Sequence, residues 1–138
     1  MPEHFAAVIR KILNNERVDH NQARILILGY AYLEETDDTR NSPSEELRRH
    51  LTKEGIDVIS HDPFVPGYGG SVLDLARGCD MVVVAVKHDL YRSLNLYEIC
   101  SVMRTPILVD GRGFMDPDLA SQAGFKFYTL GRDLLARE

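Results

Sequence analysis

Two His-Asp pairs, His61-Asp62 and His88-Asp89, each fall at the end of an apolar run. Imidazole beside carboxylate is ordinary metal-ligand and acid–base chemistry. A metal site needs further ligands, though, and none is spaced to join these pairs. Solvated loop histidines are therefore the expectation, with no metal site. Arg112 stands between glycines in "DGRGF". A guanidinium on so tight a turn can take two oxygens of a phosphate or a pyrimidine carbonyl, or simply pair with Asp110 or Asp116 at the surface. Arg40 follows Asp38 in the loop "GYAYLEETDDTRNS", a spacing that suits a salt bridge clamping that loop. Cys79 and Cys100 are not spaced as a metal or redox pair and have no base beside them. They read as buried structural thiols. With no Gly-x-Ser-x-Gly elbow either, no self-contained active site is expected.

The elements that position these residues are legible from periodicity. "PEHFAAVIRKILNN" sets Phe5, Val8, Ile9, Ile12 and Leu13 on one helical face. "ARILILG" is a continuous apolar run, as in a strand covered on both faces. Ser42, Pro43 and Glu45 spell a capped helix start, Leu47 and Leu51 its inner face and Gly55 its stop. "IDVIS" is a second strand, followed by the turn-rich "HDPFVPGYGG". Ser71 with Asp74 caps a short helix ending at Gly78, and "MVVVAV" is the most hydrophobic strand. Asn95 and Glu98 open another helix, "PILVD" is a fourth strand, Asp116-Pro117 opens a brief helix closed by Gly124, and "FKFYTL" is a fifth strand.

Alternating strand and helix predicts a Rossmann-like three-layer α/β/α fold with a five-stranded parallel sheet and an extra N-terminal helix. The expected strand order is 3-2-1-4-5. Ligands of open α/β sheets sit beyond the strand carboxyl ends, where the order reverses. That reading puts the crevice between strands one and four, rimmed by the long charged loop and by "DGRGF".

The chain has 138 residues, 44% apolar and 27% charged, and a net charge of −5. This suits one globular domain and argues against nucleic acid as a partner. No apolar stretch is long enough for a membrane span and no signal pattern opens the chain, so a reducing cytoplasm is expected. A dinucleotide site would need Gly-x-Gly-x-x-Gly running into a helix. Here Gly29 is followed by Tyr30 and Tyr32, and the helix starts late. Asp62 sits where such folds keep a ribose-binding acid, but a turn role before Pro63 is the better reading. Val86-Lys87 at the end of strand three rules out a phosphate-receiving regulator.

Beyond these inferences, "ILILGYAYLEETDDTRNSP" resembles the opening of the C-terminal, UDP-binding domain of the UDP-glucose/GDP-mannose dehydrogenase family. That pattern runs Leu-Gly-Leu-Ala-Tyr/Phe-Lys and then Thr-Asp-Asp-x-Arg-x-Ser-Pro. "VISHDPFV", "GCDMVVVAVKHDLYRSLN" and "TPILVDGRGFMDP" are similar to later family segments, so the resemblance spans residues 24 to 131. Family members oxidise the C6 alcohol of a nucleotide sugar to a carboxylate with two NAD+, through a covalent thiohemiacetal and thioester on a cysteine. They join an NAD domain and a central helical domain to this one. The resemblance implies that residues 1–20 are a helix and connector ending the central region, and 21–138 the nucleotide-sugar-binding α/β domain of a larger enzyme. It places Tyr32, Leu33 and Arg112 in the pocket for the nucleotide of a UDP-sugar, and Asp38, Arg40 and Ser42 in the supporting loop. Leu33 stands where the family carries lysine. The catalytic cysteine motif is missing, so the chain alone is expected to show no dehydrogenase turnover and to bind no cofactor itself, NAD belonging to the full-length parent. The alternatives are a non-catalytic assembly or regulatory module and a generic Rossmann-like nucleotide binder.

Overall fold

A computed structural model describes residues 2–30, 43–129 and 136–137. Helices α1 (Pro2–Asn15), α2 (Pro43–Thr52), α3 (Val72–Ala76), α4 (Leu96–Val102) and α5 (Pro117–Ala123) alternate with strands β1 (Arg24–Leu28), β2 (Asp57–His61), β3 (Met81–Val84), β4 (Ile107–Asp110) and β5 (Lys126–Thr129). Three of the expected caps form: Ser71, Asn95 and Asp116 each accept a backbone N–H of the first helical turn, while Ser42 lies outside the described residues. Gly124, at φ 108°, closes α5 in the left-handed conformation that glycine adopts without a Cβ penalty.

The sheet is ordered β2-β1-β3-β4-β5-β6, its first five strands parallel. β6 (Ala136–Arg137), a two-residue strand, adds to β5 antiparallel. The fold class is the expected one, but the strand order corrects the anticipated 3-2-1-4-5. β3 stands between β1 and β4, which the sequence had placed side by side. The reason is burial: all four residues of β3 are buried, so this strand needs a neighbour on each side. β2 carries Asp57, Ser60 and His61 and takes the edge of the sheet.

Side chains alternate between two cores, as the period of two requires. Ile25, Ile27, Met81, Val83, Ile107 and Val109 face α1 and α2. Leu26, Leu28, Val82, Val84, Leu108 and Phe127 face α3, α4 and α5. α1 belongs to the first core: Ile9, Ile12 and Leu13 are fully buried, each contributing on the order of 2 kcal/mol of apolar transfer. Its end is tied to β5, because Tyr128 donates to the Glu16 carboxylate and accepts from Asn15 Nδ2 at 3.0 Å.

Both cysteines are free thiols serving as core or near-core residues. Cys79 is buried and donates to the Leu75 carbonyl at 3.3 Å, and burial pushes its thiol up to about 11. Cys100 is half-buried, and burial raises its thiol too.

Candidate functional site at the carboxyl edge of the sheet

With β3 beside β1, the reversal of strand order lies between these two strands, one strand away from where the sequence put it. The chain leaving β1 and the chain leaving β3 meet there at close quarters. The Leu28 carbonyl accepts from both Ala85 N (2.9 Å) and Val86 N (3.3 Å), while Gly29 N donates to the His61 carbonyl at 2.6 Å. Gly29 has φ 110°, and a Cβ on it would lie 2.5 Å from Val86 Cβ. Only glycine fits this crossing, on grounds of both conformation and space.

Beyond Gly29, Tyr30 is fixed from three directions. Its N–H donates to Asp62 Oδ2 at 2.8 Å, and its ring stacks on Tyr68 with centroids 4.4 Å apart and planes within 13°. Its hydroxyl donates to Glu45 Oε1, in the first turn of α2, at 3.0 Å. Loss of water, then the Glu45 carboxylate, pushes the Tyr30 phenol up to about 12.

Asp62 is the hub of this edge. Oδ2 also accepts from His88 Nε2 at 2.8 Å, and Oδ1 accepts from Phe64 N at 2.8 Å, so the carboxylate both caps its own turn and pairs across to the segment after β3. Asp62 and His88 are each 0% exposed. The turn role expected for Asp62 is present, but the expectation of solvated histidines is overturned. His61, Asp62 and His88 are all buried, because residues 62–70 fold back over the strand ends: Asp62 N donates to Tyr68 O at 2.7 Å. A buried carboxylate needs such compensation, and His88 supplies it.

His61 sits in the same layer. The Gly70 carbonyl, 3.1 Å from Nε2, can only accept, so the hydrogen is assigned to Nε2, and the Tyr91 hydroxyl directs its one proton between two acceptors of His61, Nδ1 at 3.0 Å and the carbonyl oxygen at 3.1 Å. Burial holds the His61 imidazole below the usual histidine range, outweighing the Gly70 bond and the Asp62 charge. Tyr91 is fully buried, and burial first, then Asp62, raises its phenol far above the ordinary value. Asp89, by contrast, is exposed. Among the described residues no group of three His, Cys, Asp or Glu side chains could hold a metal ion.

The turn after β4 stands beside the end of β3. Asp110 turns its carboxylate onto backbone amides, accepting from Arg112 N at 3.0 Å and from Phe114 N and Met115 N at 2.7 Å each. Gly111 N donates to the Val84 carbonyl at 3.0 Å, tying this turn to the end of β3. Phe5 of α1 lies against Gly111 so closely that a Cβ there would be 2.6 Å from the ring. Asp116 caps α5, so both carboxylates that the sequence offered as partners serve backbone N–H groups. The Arg112 side chain is exposed on this braced turn. Further along, Phe114 and Met115 line a cleft of about 400 Å³ with Leu94 and Leu119, where the Arg92 guanidinium lies over the Phe114 ring at 4.3 Å.

Of the site residues read from the sequence, Arg112 is exposed on the turn after β4, one strand from the reversal crevice, while Tyr32, Leu33, Asp38, Arg40 and Ser42 lie outside the described residues. The sequence reading missed Tyr30 and the Asp62–His88 pair. The signal was present in the twin His-Asp dipeptides at the ends of two strands, which the structure places on either side of β1.

Known proteins resemble the chain over most of its length. A family model described as the UDP-glucose/GDP-mannose dehydrogenase family, UDP binding domain, matches residues 26–117. UDP-N-acetyl-D-mannosamine dehydrogenase of Pyrococcus horikoshii is 33% identical over 133 residues, 96% of this chain and 31% of that protein. UDP-glucose 6-dehydrogenase of Rickettsia prowazekii is 26% identical, covering 96% of this chain and 33% of its own length. The crystal structure of an NDP-N-acetyl-D-galactosaminuronic acid dehydrogenase from Methanosarcina mazei superposes with a TM-score of 0.85 at 30% identity, over 95% of this chain and 29% of that one. The chain spans about a third of the length of the curated relatives it matches.

Proposed function

The chain belongs to the UDP-glucose/GDP-mannose dehydrogenase family, within its UDP-binding domain, and on that premise we propose that it holds the nucleotide end of a UDP-sugar at the carboxyl edge of the sheet. In this reading Tyr32 and Leu33 line the nucleotide pocket, Arg112 donates to the nucleotide, and Asp38, Arg40 and Ser42 brace the loop. The observation that carries it is the Asp110-braced turn, which presents the exposed Arg112 one strand from the reversal crevice. A guanidinium there provides local positive charge in a chain of net charge −5, in a fork that matches two oxygens of one anionic group.

Nothing in this constellation breaks or forms bonds, and none is required of it. A nucleotide gripped far from the reacting carbon supplies binding energy that orients the sugar. Oxidation at C6, and the NAD it consumes, would belong to other domains of a parent nucleotide-sugar dehydrogenase, to which this domain contributes substrate position.

Calorimetric titration with UDP tests the proposal. Uptake by the wild-type chain, weakened about tenfold or more in Arg112→Ala, is the expected result for loss of a hydrogen bond to a charged group. Absence of UDP uptake would leave the assembly-module reading instead. Unchanged affinity in Arg112→Ala would remove this residue from the pocket.

A further inference from the structure

Asp62 occupies the position at the end of β2 where related folds keep an acid for ribose, yet both of its oxygens are turned inward and it has no exposed surface. We infer that Asp62, held by His88, is a positioning residue for nucleotide binding: it fixes Tyr30, the point at which the chain leaves β1 for the residues that the reading above assigns to the nucleotide. The inference rests on the nucleotide-binding reading above and deepens it.

Three observations converge on this role. First, Oδ2 is shared between the Tyr30 N–H and His88 Nε2, each at 2.8 Å, so the exits of β1 and β3 are joined through one oxygen bonded at the end of β2. Second, the same loop that Asp62 starts carries Tyr68, whose ring stacks on Tyr30. This loop is anchored at its far end by His61 Nε2 on the Gly70 carbonyl. Third, His88 is itself steadied by the Phe64 ring at 5.0 Å and the Tyr91 ring at 5.6 Å. Position thus passes from the packed layer of His61, His88 and Tyr91 to Asp62 and on to Tyr30, from which the chain continues to Tyr32 and Leu33. Asp62 need not contact the nucleotide.

Asp62→Asn is a selective probe. The remaining carbonyl oxygen still serves Phe64 N, and the new amide can donate to His88 in its other tautomer. That amide, however, faces the Tyr30 N–H donor with a donor. The expected result is a folded protein whose UDP Kd rises about tenfold, the effect of one unsatisfied buried donor. His88→Gln keeps a neutral N–H at the same reach and should hold Kd within about threefold of wild type, whereas His88→Leu should resemble Asp62→Asn. Ile9→Val, buried in α1, controls for general loss of stability: its urea midpoint falls while Kd stays. A Kd within about twofold of wild type in both Asp62→Asn and His88→Leu overturns the inference. Should the wild-type chain not take up UDP, the nucleotide reading fails separately, and exchange of the Tyr30 amide then decides. Exchange about tenfold faster in Asp62→Asn than in wild type sustains the clasp, and equal rates overturn it.

Discussion

Replacing Gly111 by alanine tests how the N-terminal helix α1 is keyed to the turn that carries Arg112. The added Cβ would lie 2.6 Å from Phe5 Cζ, 2.7 Å from Phe5 Cε2 and 3.1 Å from the Val84 carbonyl oxygen. Carbon–carbon contacts are comfortable only near about 3.5–4.0 Å, so the ring or the turn must shift by roughly 1 Å. Gly111 is not among the residues with positive φ, so the cost is contact alone, without backbone strain. Overpacking of this kind costs about 1–3 kcal/mol. Phe5→Ala alone removes a partly buried ring, at a cost of about 2 kcal/mol. In the double variant the new methyl enters the space the ring vacated, so the Gly111→Ala penalty should largely disappear. Urea denaturation of the four proteins measures this as a favourable coupling of about 1–2 kcal/mol. Additive losses, within about 0.5 kcal/mol, would refute the claim that α1 sits directly on this turn.

On the proposed reading, Leu33→Lys adds a cation to the nucleotide pocket and should tighten UDP binding by about 1.5–3 kcal/mol in a titration. No gain would mean that the pocket differs by more than this residue. Burial depresses the His61 imidazole, so between its folded value and the ordinary value near 6.5 the unfolded chain binds more protons. This contribution to stability is complete above about pH 6.5 and is lost as pH falls through that window. Urea midpoints at about pH 7.5 and about pH 5.5 should therefore converge more in His61→Asn than in wild type, and an unchanged difference would refute the assignment.

The parts of the fold that local chemistry decides were readable in advance. Ser71, Asn95 and Asp116 have side chains that satisfy N–H groups only a few residues away, so their helices could be placed from the sequence. Strand order was not readable in the same way, because it depends on which apolar runs pair across long stretches of chain. The guide was nevertheless present in burial: "MVVV" demands neighbours on both sides, and "DVISH" tolerates an edge. The histidines misled for a related reason. A His-Asp dipeptide after a strand looks solvated until a second strand end brings a partner, as His88 does for Asp62. Arg112 could be placed because glycines and Asp110 define its turn locally, whereas Tyr30 draws its importance from Asp62, Tyr68 and Glu45, all distant in sequence.

The central position of β1 also bears on how the chain comes to be folded as it leaves the ribosome. β1 is made well before its partners: Arg24 pairs with Asp57, and Ile25 with Met81. Until β3 has emerged, one full edge of a strand that is apolar from Ile25 to Leu28 has nothing to bond to. Pairings of this range delay folding, and unpaired apolar edges in nascent chains invite association with other chains. Helix α1, already complete by Asn15, can meanwhile lie across Ile25 and Ile27 and cover one face of the waiting strand. The segment that precedes the sheet would in this way act as an internal chaperone for its first strand.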